Sequence, residues 1–477
     1  MRALLLATVL ALAACAALEP GNPPLAQYAP GDGYRFENLA GGDNADELFV
    51  IVTFSGGGTR AAALAYGVME ALRDTRITWQ GKRVSLLDEV DVISSISGGS
   101  FPAAYYALRG ARIFDEFAAR FLYRDIQGDL IGLALSPLNW PKLAHSAYGR
   151  SDLAAEFYDG EVFGGGTYAD VIARNRRPFV ILNATDMTTG QPFAFIQDQF
   201  DLLCSDLAGV KLARAAAASS AFPGGLTALT FSNYAGTCGY TQPQWVALAA
   251  ADHASRVNPR RTARAEHRLS LAAAGPARPY LHLTDGGVAD NIGLRGPLAA
   301  IASVDHPWSV LRLMNRQRVT QLAVIVVNAA TSPATGRDAQ PDVPGLIDTL
   351  TTAATVPLDN YSFDTVELLG KTMAEFNSDA RLVEGCNRLS AAKGAQCALN
   401  LPALHSVEFY PVQVAFDYLA GREERDWFKN LPTTFALPRA TIDRLRAVGR
   451  QLLGEDPQFR RLLAALGGCL SQAGGTC

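Results

Sequence analysis

The sequence predicts an α/β fold in which a mostly parallel sheet is covered by helices. Three stretches support this prediction: the apolar runs Leu48–Phe54 and Leu322–Asn328, and the shorter β-branched pair Val92 and Ile93. The first run and the β-branched pair each lead into a glycine-containing turn and then into apolar residues at helical spacing. Continuous apolar strands are typical of parallel sheets that are buried on both faces.

The turn after Val92 and Ile93 places Ser97 between a strand and a helix, with Gly98 and Gly99 directly behind it. A serine at a sharp strand-to-helix turn is typical of a nucleophile elbow, in which the hydroxyl stands clear of the sheet. The match to G-x-S-x-G is imperfect, because Ser95 occupies the first glycine position. An ordinary N-cap serine is the alternative interpretation.

Three consecutive glycines, Gly56, Gly57 and Gly58, join the first apolar run to its helix. Free N–H groups at a helix N-terminus suit an anion. A phosphate-binding loop is one alternative, but neither a Gly-Lys-Ser/Thr ending nor the G-x-G-x-x-G spacing is present. We therefore predict an oxyanion hole. Arg60 is predicted to bind a phosphate head group of the substrate, the alternative being a surface position in the first helical turn.

A third motif follows the alternating stretch Tyr280–Asp285, which ends in a carboxylate at a Gly-Gly turn. Alone, this tripeptide is weak, because turns use it freely. Together, Gly-Gly-Gly-x-Arg, Ser-x-Ser-Gly-Gly and Asp-Gly-Gly resemble the motifs of the patatin-like phospholipases, over residues 48–330. The Ala/Ser-rich stretch 215–223 resembles a helix of the same family, and Arg60 is similar to an arginine of the related cytosolic phospholipase A2 enzymes.

This resemblance implies a three-layer α/β/α fold and a lipid acyl hydrolase that uses no cofactor and no metal. It implies that Ser97 is the nucleophile, that Asp285 is its base, and that the three glycines supply oxyanion donors. The expected substrates are membrane phospholipids, lysophospholipids or related acyl lipids. The chemistry requires the same parts, because a serine hydroxyl needs an adjacent base, and burial raises the pKa of a carboxyl toward that task.

A Ser–Asp–His triad is the main mechanistic alternative, since His306 or His405 would follow Asp285 in the chain order of α/β-hydrolases. We favour the dyad, because the glycine loop and Asp-Gly-Gly follow the patatin arrangement. Two other functions stay open: an esterase or thioesterase acting on another acyl carrier, and a catalytically silent envelope scaffold, which Ser95 at the elbow keeps open.

The N-terminus predicts export and lipid anchoring. Residues 1–14 have the charged start and short apolar core of a signal peptide, and Cys15 follows a lipobox-like Leu-Ala-Ala. Cys15 is therefore the predicted lipidation site, with a plain signal cleavage site as the alternative. Residues 15–47 are rich in Pro, Gly and Ala and are predicted to form a lipid-anchored tether. We expect a bacterial envelope protein, held at the outer membrane and facing the periplasm.

The composition argues against binding of nucleic acid or zinc, and its cysteines suggest disulfides. The net charge of −4 gives no basic face for nucleic acid, and the absence of C-x-x-C, with only six histidines, disfavours a zinc site. Apart from Cys15, six cysteines fall as neighbours along the chain, which favours three disulfides in an exported protein. These pairs are Cys204 with Cys238, Cys386 with Cys397, and Cys469 with Cys477.

We divide the remaining chain into a catalytic domain, 48–330, and a C-terminal extension, 331–477, that packs on the core. Two insertions are expected within the first, at about 110–165 and 232–278. Mixed aromatic and aliphatic residues in 110–165 favour helices packed on the core, and a lid or acyl-chain cradle is the alternative. Residues 406–416 read as a strand that extends the main sheet.

Overall fold

The computed structural model describes residues 21–40, 47–79, 81–252, 258–273, 277–332, 341, 345–393 and 404–470. The predicted signal peptide, 1–14, and the predicted lipidation site, Cys15, lie outside the described residues.

Most of the strands belong to one sheet. The strands are β1 (Leu48–Phe54), β2 (Thr75–Trp79), β3 (Lys82–Ser85), β4 (Val90–Ile96), β5 (Phe179–Asp186), β6 (Pro192–Ala194), β7 (Leu229–Ser232), β8 (Tyr280–Asp285), β9 (Gln321–Asn328), β10 (Glu408–Ala415) and β11 (Cys469–Leu470). The eight-stranded sheet has the order β10-β9-β1-β4-β5-β8-β7, with β6 paired to β5. Strands β10 to β5 of this order are parallel, whereas β8 is antiparallel to both β5 and β7. A second, antiparallel sheet contains β11, β2 and β3.

Helices connect and cover these strands. They are α1 (Gly58–Asp74), α2 (Ser100–Arg109), α3 (Ile113–Phe117), α4 (Ile126–Leu135), α5 (Trp140–Leu143), α6 (Arg150–Tyr158), α7 (Tyr168–Arg174), α8 (Gln197–Phe200), α9 (Leu212–Ser219), α10 (Gln244–Ala251), α11 (Pro259–Ala272), α12 (Arg295–Ala302), α13 (Val310–Asn315), α14 (Leu346–Lys393), α15 (Arg422–Lys429), α16 (Arg439–Glu455) and α17 (Pro457–Ala465). No helix of the described chain is long and apolar enough to cross a bilayer.

The central strands form the core. Every residue of β1 and β4 is buried, on both faces of each strand. Because successive side chains of a strand point to opposite faces, helices must cover both sides of the sheet here. The predicted α/β fold with a mostly parallel central sheet is therefore confirmed.

The N-terminal segment 21–40 packs against this core, so the prediction of a free tether is wrong for these residues. Tyr34 and Phe36 are buried, and Arg35 forms ion pairs with Asp198 at 2.8 Å and with Asp201 at 2.6 Å. The composition of the segment suggested a linker, but aromatic side chains and a paired arginine bind it to the body of the protein.

The C-terminal part contributes directly to the same core. Strand β10 continues the main sheet in parallel beside β9, as expected for residues 406–416. Helix α16 packs so closely on α1 that a Cβ added at Gly67 would lie 2.3 Å from the Arg446 carbonyl oxygen. The described residues of the C-terminal extension therefore pack on the core and share its main sheet.

Cysteine pairing follows the predicted pattern where it is described. Cys204 and Cys238 form a disulfide, as predicted. Cys386 and Cys469 are also disulfide-bonded, but their predicted partners, Cys397 and Cys477, lie outside the described residues.

Candidate active site

Ser97 lies at a sharp turn between β4 and α2. Its φ angle is +48°, in the left-handed region that a non-glycine residue rarely adopts. Gly98 and Gly99 allow the turn to pack tightly: a Cβ at Gly98 would lie 2.1 Å from the Gly58 carbonyl oxygen. A strained serine held by close backbone contacts is the predicted elbow geometry.

Ser95 does not crowd this elbow. Its side chain is fully buried in β4, where the hydroxyl donates to the Ile181 carbonyl oxygen at 3.2 Å and accepts from the Ser100 hydroxyl at 3.2 Å. The position that the G-x-S-x-G motif gives to glycine therefore holds a serine whose polar group is satisfied within the sheet.

The Ser97 hydroxyl donates to the Asp285 carboxylate, with Oγ and Oδ2 separated by 2.8 Å. The sheet register explains this approach: Ile96 of β4 is paired with Asn183 of β5, and the next residue, Ala184, is paired with Asp285 of β8. The serine and the carboxylate therefore reach the same level of the sheet from opposite sides of β5.

Burial sets the proton affinity of Asp285. This carboxyl is 4% exposed, and burial raises its pKa to about 6, although the Gly287 N–H and the Ser97 hydroxyl both donate to it and oppose that rise. The Thr185 hydroxyl fixes the backbone by donating to the Asp285 carbonyl oxygen at 2.8 Å. A carboxyl in this state takes up a proton near neutral pH more readily than an exposed aspartate.

The glycine loop lies directly beside the serine, but its three amides are not equivalent. The Gly56 N–H donates to the Asn291 carbonyl oxygen at 2.9 Å, so the prediction that Gly56 is an oxyanion donor is wrong. Within the described part of the chain, the Gly57 and Gly58 N–H groups have no acceptor, and both glycines line the Ser97 cavity. The prediction of an oxyanion hole therefore stays open for these two amides.

Sequence reasoning missed the role of Ser219, at the end of the Ala/Ser-rich helix α9. Its hydroxyl accepts from the Ser97 N–H at 2.9 Å and donates to the Asn183 carbonyl oxygen at 2.6 Å. Ser219 therefore fixes the backbone of the elbow. The signal in the sequence was the serine itself, which directly follows a run of four alanines, 215–218.

Arg60 is held by other parts of the protein. The side chain is buried, not on the surface, and its guanidinium donates to the carbonyl oxygens of Ala329 (2.9 Å) and Leu431 (2.7 Å) and to the Thr433 hydroxyl (3.2 Å). Arg60 also lines the Ser97 cavity, so its contact with a substrate phosphate stays a prediction. Arg60 joins the glycine loop to β9 and to the segment before Thr434.

We expect Arg60→Lys to lower the hydrolysis of a neutral short-chain ester and to destabilise the protein by about 2 kcal/mol. The ammonium group of lysine keeps the positive charge but lacks the planar guanidinium fork that reaches three separate acceptors. Buried acceptors left without a donor lower the free energy of unfolding. Urea unfolding and p-nitrophenyl butyrate hydrolysis measure the two effects, with Arg76→Lys, at an exposed arginine, as the matched control. Full activity of Arg60→Lys on this phosphate-free ester would contradict the assigned role.

The described histidines lie away from this pair. His306 packs edge-on against Trp308, His405 contacts the Val319 carbonyl oxygen, and His282 contacts the Thr230 hydroxyl. None of the histidines in the described ranges lines the Ser97 cavity, and His253 lies outside those ranges. The triad residues proposed as an alternative, His306 and His405, are therefore not beside Asp285. Among described residues, no cluster of three or more His, Cys, Asp or Glu is arranged to hold a metal ion.

The serine opens into a cavity of about 630 Å³. Its polar end contains Ser97, Asp285 and the glycine loop, and its other walls are mainly apolar. The apolar walls are formed by Leu130, Ile131, Ala134, Leu135, Leu153, Phe222, Leu226, Val288 and Phe435. A hydroxyl–carboxylate pair with free amides beside an apolar cavity is chemically suited to transfer an acyl group.

A family model for patatin-like phospholipases matches residues 52–298, more than half of the 477 residues. The chain therefore belongs to the patatin-like phospholipase family, which supports activity as a lipid acyl hydrolase. The match includes the glycine loop, Ser97 and Asp285. No curated protein matches the chain.

The chain is also similar to three solved structures, each at low sequence identity. Human GIVD cytosolic phospholipase A2 is 13% identical, with a TM-score of 0.33, over 65% of this chain and 48% of that one. The same human enzyme in complex with methyl gamma-linolenyl fluorophosphonate is 12% identical, with a TM-score of 0.33, over 88% and 59%. VipD from Legionella pneumophila is 10% identical, with a TM-score of 0.26, over 88% and 67%. The chain thus spans about half of the first neighbour's length.

Proposed function

We propose that this protein is an exported serine acyl hydrolase that cleaves carboxylic esters of phospholipids or lysophospholipids. The observation that carries the proposal is the 2.8 Å hydrogen bond from Ser97 to Asp285 at the polar end of an apolar cavity. Membership of the patatin-like phospholipase family supports the lipid class of substrate. The predicted signal peptide and Cys15 extend the proposal to a lipid-anchored envelope protein.

The proposed reaction has two steps. Asp285 takes the proton of Ser97 as Oγ attacks the ester carbonyl carbon, and the oxygen that becomes negative faces the Gly57 and Gly58 amides. Collapse of this intermediate releases the alcohol, which takes the proton from Asp285 and leaves the acyl group on Ser97. Water, deprotonated by Asp285, then attacks the carbonyl carbon of the acyl-enzyme. The bond to Ser97 Oγ breaks, the fatty acid leaves, and Oγ takes the proton back from Asp285.

The cavity walls favour a long acyl chain. Helix α4 supplies Leu130, Ile131 and Leu135, which places part of the predicted insertion 110–165 at the serine's cavity. The interpretation of this insertion as a cradle for the acyl chain gains support over simple packing on the core. A cavity of this volume and lining is within the ordinary range for binding a lipid-sized ligand.

The proposal is tested by incubating the purified protein with phospholipid vesicles, lysophospholipid and p-nitrophenyl butyrate, and by labelling with a fluorophosphonate. We expect fatty acid release from both lipids and covalent labelling at Ser97. Hydrolysis of the short ester without release from either lipid would indicate the esterase alternative. An unlabelled, inactive protein would indicate the scaffold alternative.

Large apolar side chains beside the cavity predict binding to a lipid surface. Leu138 and Trp140, just after α4, are 87% and 57% exposed and do not line the cavity. We expect Leu138→Asp combined with Trp140→Ser to lower vesicle hydrolysis by about tenfold or more, because burying one such side chain contributes roughly 1.5–3 kcal/mol. Hydrolysis of a soluble short-chain ester is expected to change little.

The matched control is Leu382→Asp, which makes the same chemical change at a leucine that is 66% exposed on α14. Co-sedimentation with vesicles measures binding of the protein to the lipid surface separately from lipid hydrolysis. Equal losses with the double variant and the control, or equal losses on vesicles and on the soluble ester, would contradict a lipid-binding surface at Leu138 and Trp140.

A further inference from the structure

A second cavity, of about 580 Å³, adjoins the segments that carry Ser97 and Asp285 and shares no lining residue with the Ser97 cavity. Its lining includes Asn183 of β5 and Gly286, which directly follows Asp285. Much of the remainder comes from α11, α12 and α14. We call it the arginine cavity, after the five arginines that line it: Arg260, Arg261, Arg264, Arg268 and Arg295.

The charges in the arginine cavity do not balance. Two carboxylates, Asp290 and Asp364, line it beside the five guanidinium groups, and one of these groups, Arg261, is paired with Asp305 at 2.7 Å. The other four guanidinium groups exceed the two lining carboxylates by two positive charges when the histidines are neutral. Asp290 is already engaged by the backbone, because it accepts from the N–H groups of Arg295 at 2.7 Å and Ile292 at 3.3 Å. A cavity with this excess attracts anions.

Two of the guanidinium groups contact neutral protein partners. Arg264 donates to the Ser303 hydroxyl at 3.0 Å, and Arg268 donates to the Tyr240 hydroxyl at 2.7 Å. The Nε–H of each has no acceptor, and among described residues no carboxylate forms an ion pair with either side chain. Their charges are therefore uncompensated by direct contact, and Arg268 is only 8% exposed.

His267 adds a second buried group without a partner. It lines the cavity on α11 and is 9% exposed, yet neither of its ring nitrogens has a hydrogen-bond partner among described residues. Burial, together with the charges of Arg264 and Arg268, holds the pKa of the neighbouring His306 well below its usual value, as expected in a positive field. Buried polar groups in folded proteins are normally satisfied, so both ring nitrogens are available to a group bound in the cavity.

The other walls of the arginine cavity are aromatic and aliphatic. Trp245 lies among three of the guanidinium groups, with the Arg264 carbon Cζ 4.8 Å from the centre of a tryptophan ring. Trp308 lines the same space, with apolar side chains around it: Ile181, Pro192, Ile196, Leu298 and Leu368. The ligand that fits these walls therefore has an apolar part as well as a negative charge.

We propose that the arginine cavity binds an amphiphile with an oxyanion head group, and that Arg264, Arg268 and His267 hold the head group. Guanidinium forks match the oxygens of phosphate and carboxylate, and the neutral imidazole supplies one further donor. The apolar part lies against Trp245 and the aliphatic wall. This site is separate from the Ser97 cavity, and it does not depend on the proposed hydrolase activity.

Fluorescence titration of the full chain tests the proposal, with dodecyl phosphate and dodecanoate as probes below their micelle concentrations. We expect a saturable change in tryptophan emission that is smaller in Trp245→Phe, because Trp308 also lines the cavity. Arg264→Gln combined with Arg268→Gln is expected to weaken binding at least tenfold, whereas Arg316→Gln, at an exposed arginine outside the cavity, leaves it unchanged. If the double variant fails to fold, Arg264→Gln alone carries the test, because that side chain is only partly buried.

Three further ligands complete the test. Inorganic phosphate is expected to bind more weakly than dodecyl phosphate, and comparison of the phosphate with the carboxylate probe identifies the preferred head group. Dodecyltrimethylammonium is expected not to bind at this site. Equal binding of the cationic and anionic probes, equal binding of inorganic phosphate, or an unchanged affinity of the arginine variants would each overturn the proposal.

Discussion

Replacing Ser97 with alanine is expected to lower ester hydrolysis by on the order of 10⁴-fold or more and to abolish fluorophosphonate labelling. The variant removes the only atom that the proposed mechanism acylates, while the hydrogen bond from its backbone N–H to the Ser219 hydroxyl stays in place. Fatty acid release from phospholipid vesicles measures the activity, and thermal unfolding shows whether the variant is folded.

Ser270→Ala is the matched control, because it removes a hydroxyl from an exposed position on α11. We expect this control to keep full activity and labelling. If Ser97→Ala were folded and still hydrolysed lipid at a rate near that of the unaltered protein, the acyl-enzyme mechanism would be wrong.

Replacing Asp285 with asparagine is expected to lower activity by about 10⁴-fold, because the amide cannot accept the serine proton. The unaltered protein should gain activity as the pH rises through about 6, where Asp285 loses its proton and becomes a base. A pH–rate profile between pH 4 and 8 measures this transition. Asp115→Asn, at an exposed aspartate on α3, is the control and should leave the profile unchanged.

The same substitution should stabilise the protein at high pH. Because burial raises the pKa of Asp285 from 3.8 to about 6, the stability that its proton contributes is fully present below pH 3.8 and is lost as the pH rises through about 6. We therefore expect Asp285→Asn to gain up to about 3 kcal/mol over the unaltered protein between pH 4 and pH 7. A pH-independent difference in unfolding free energy would contradict the buried, titrating carboxylate.

Local motifs explain why much of the candidate site was predictable. Ser97, Asp285 and the glycine loop each lie at the end of an apolar strand, so a short stretch of sequence defines both the residue and its turn. The mostly parallel sheet was predictable for the same reason, since buried strands read as continuous apolar runs. Strand β8 runs antiparallel to β5, which brings Asp285 to the serine, but no local sequence pattern predicts this direction.

Contacts between distant segments account for the errors. Asn291 engages the Gly56 amide, and the acceptors at Leu431 and Thr433 engage Arg60, so the chemistry of both predicted residues depends on partners that no local pattern reveals. The tether was mispredicted because proline and glycine outweighed the aromatic pair Tyr34 and Phe36. In each case, tertiary packing decided the outcome.

The contact between Thr434 and the glycine loop determines when, during synthesis of the chain, the site can take its final structure. The Thr59 N–H donates to the Thr434 carbonyl oxygen, and a Cβ at Gly58 would lie 2.4 Å from that oxygen. A ribosome completes Ser97 and Asp285 long before it reaches position 434, so the amides beside the serine acquire their final support late in synthesis. The proposed activity, which needs these amides in place, is thereby delayed until the segment around Thr434 has been made.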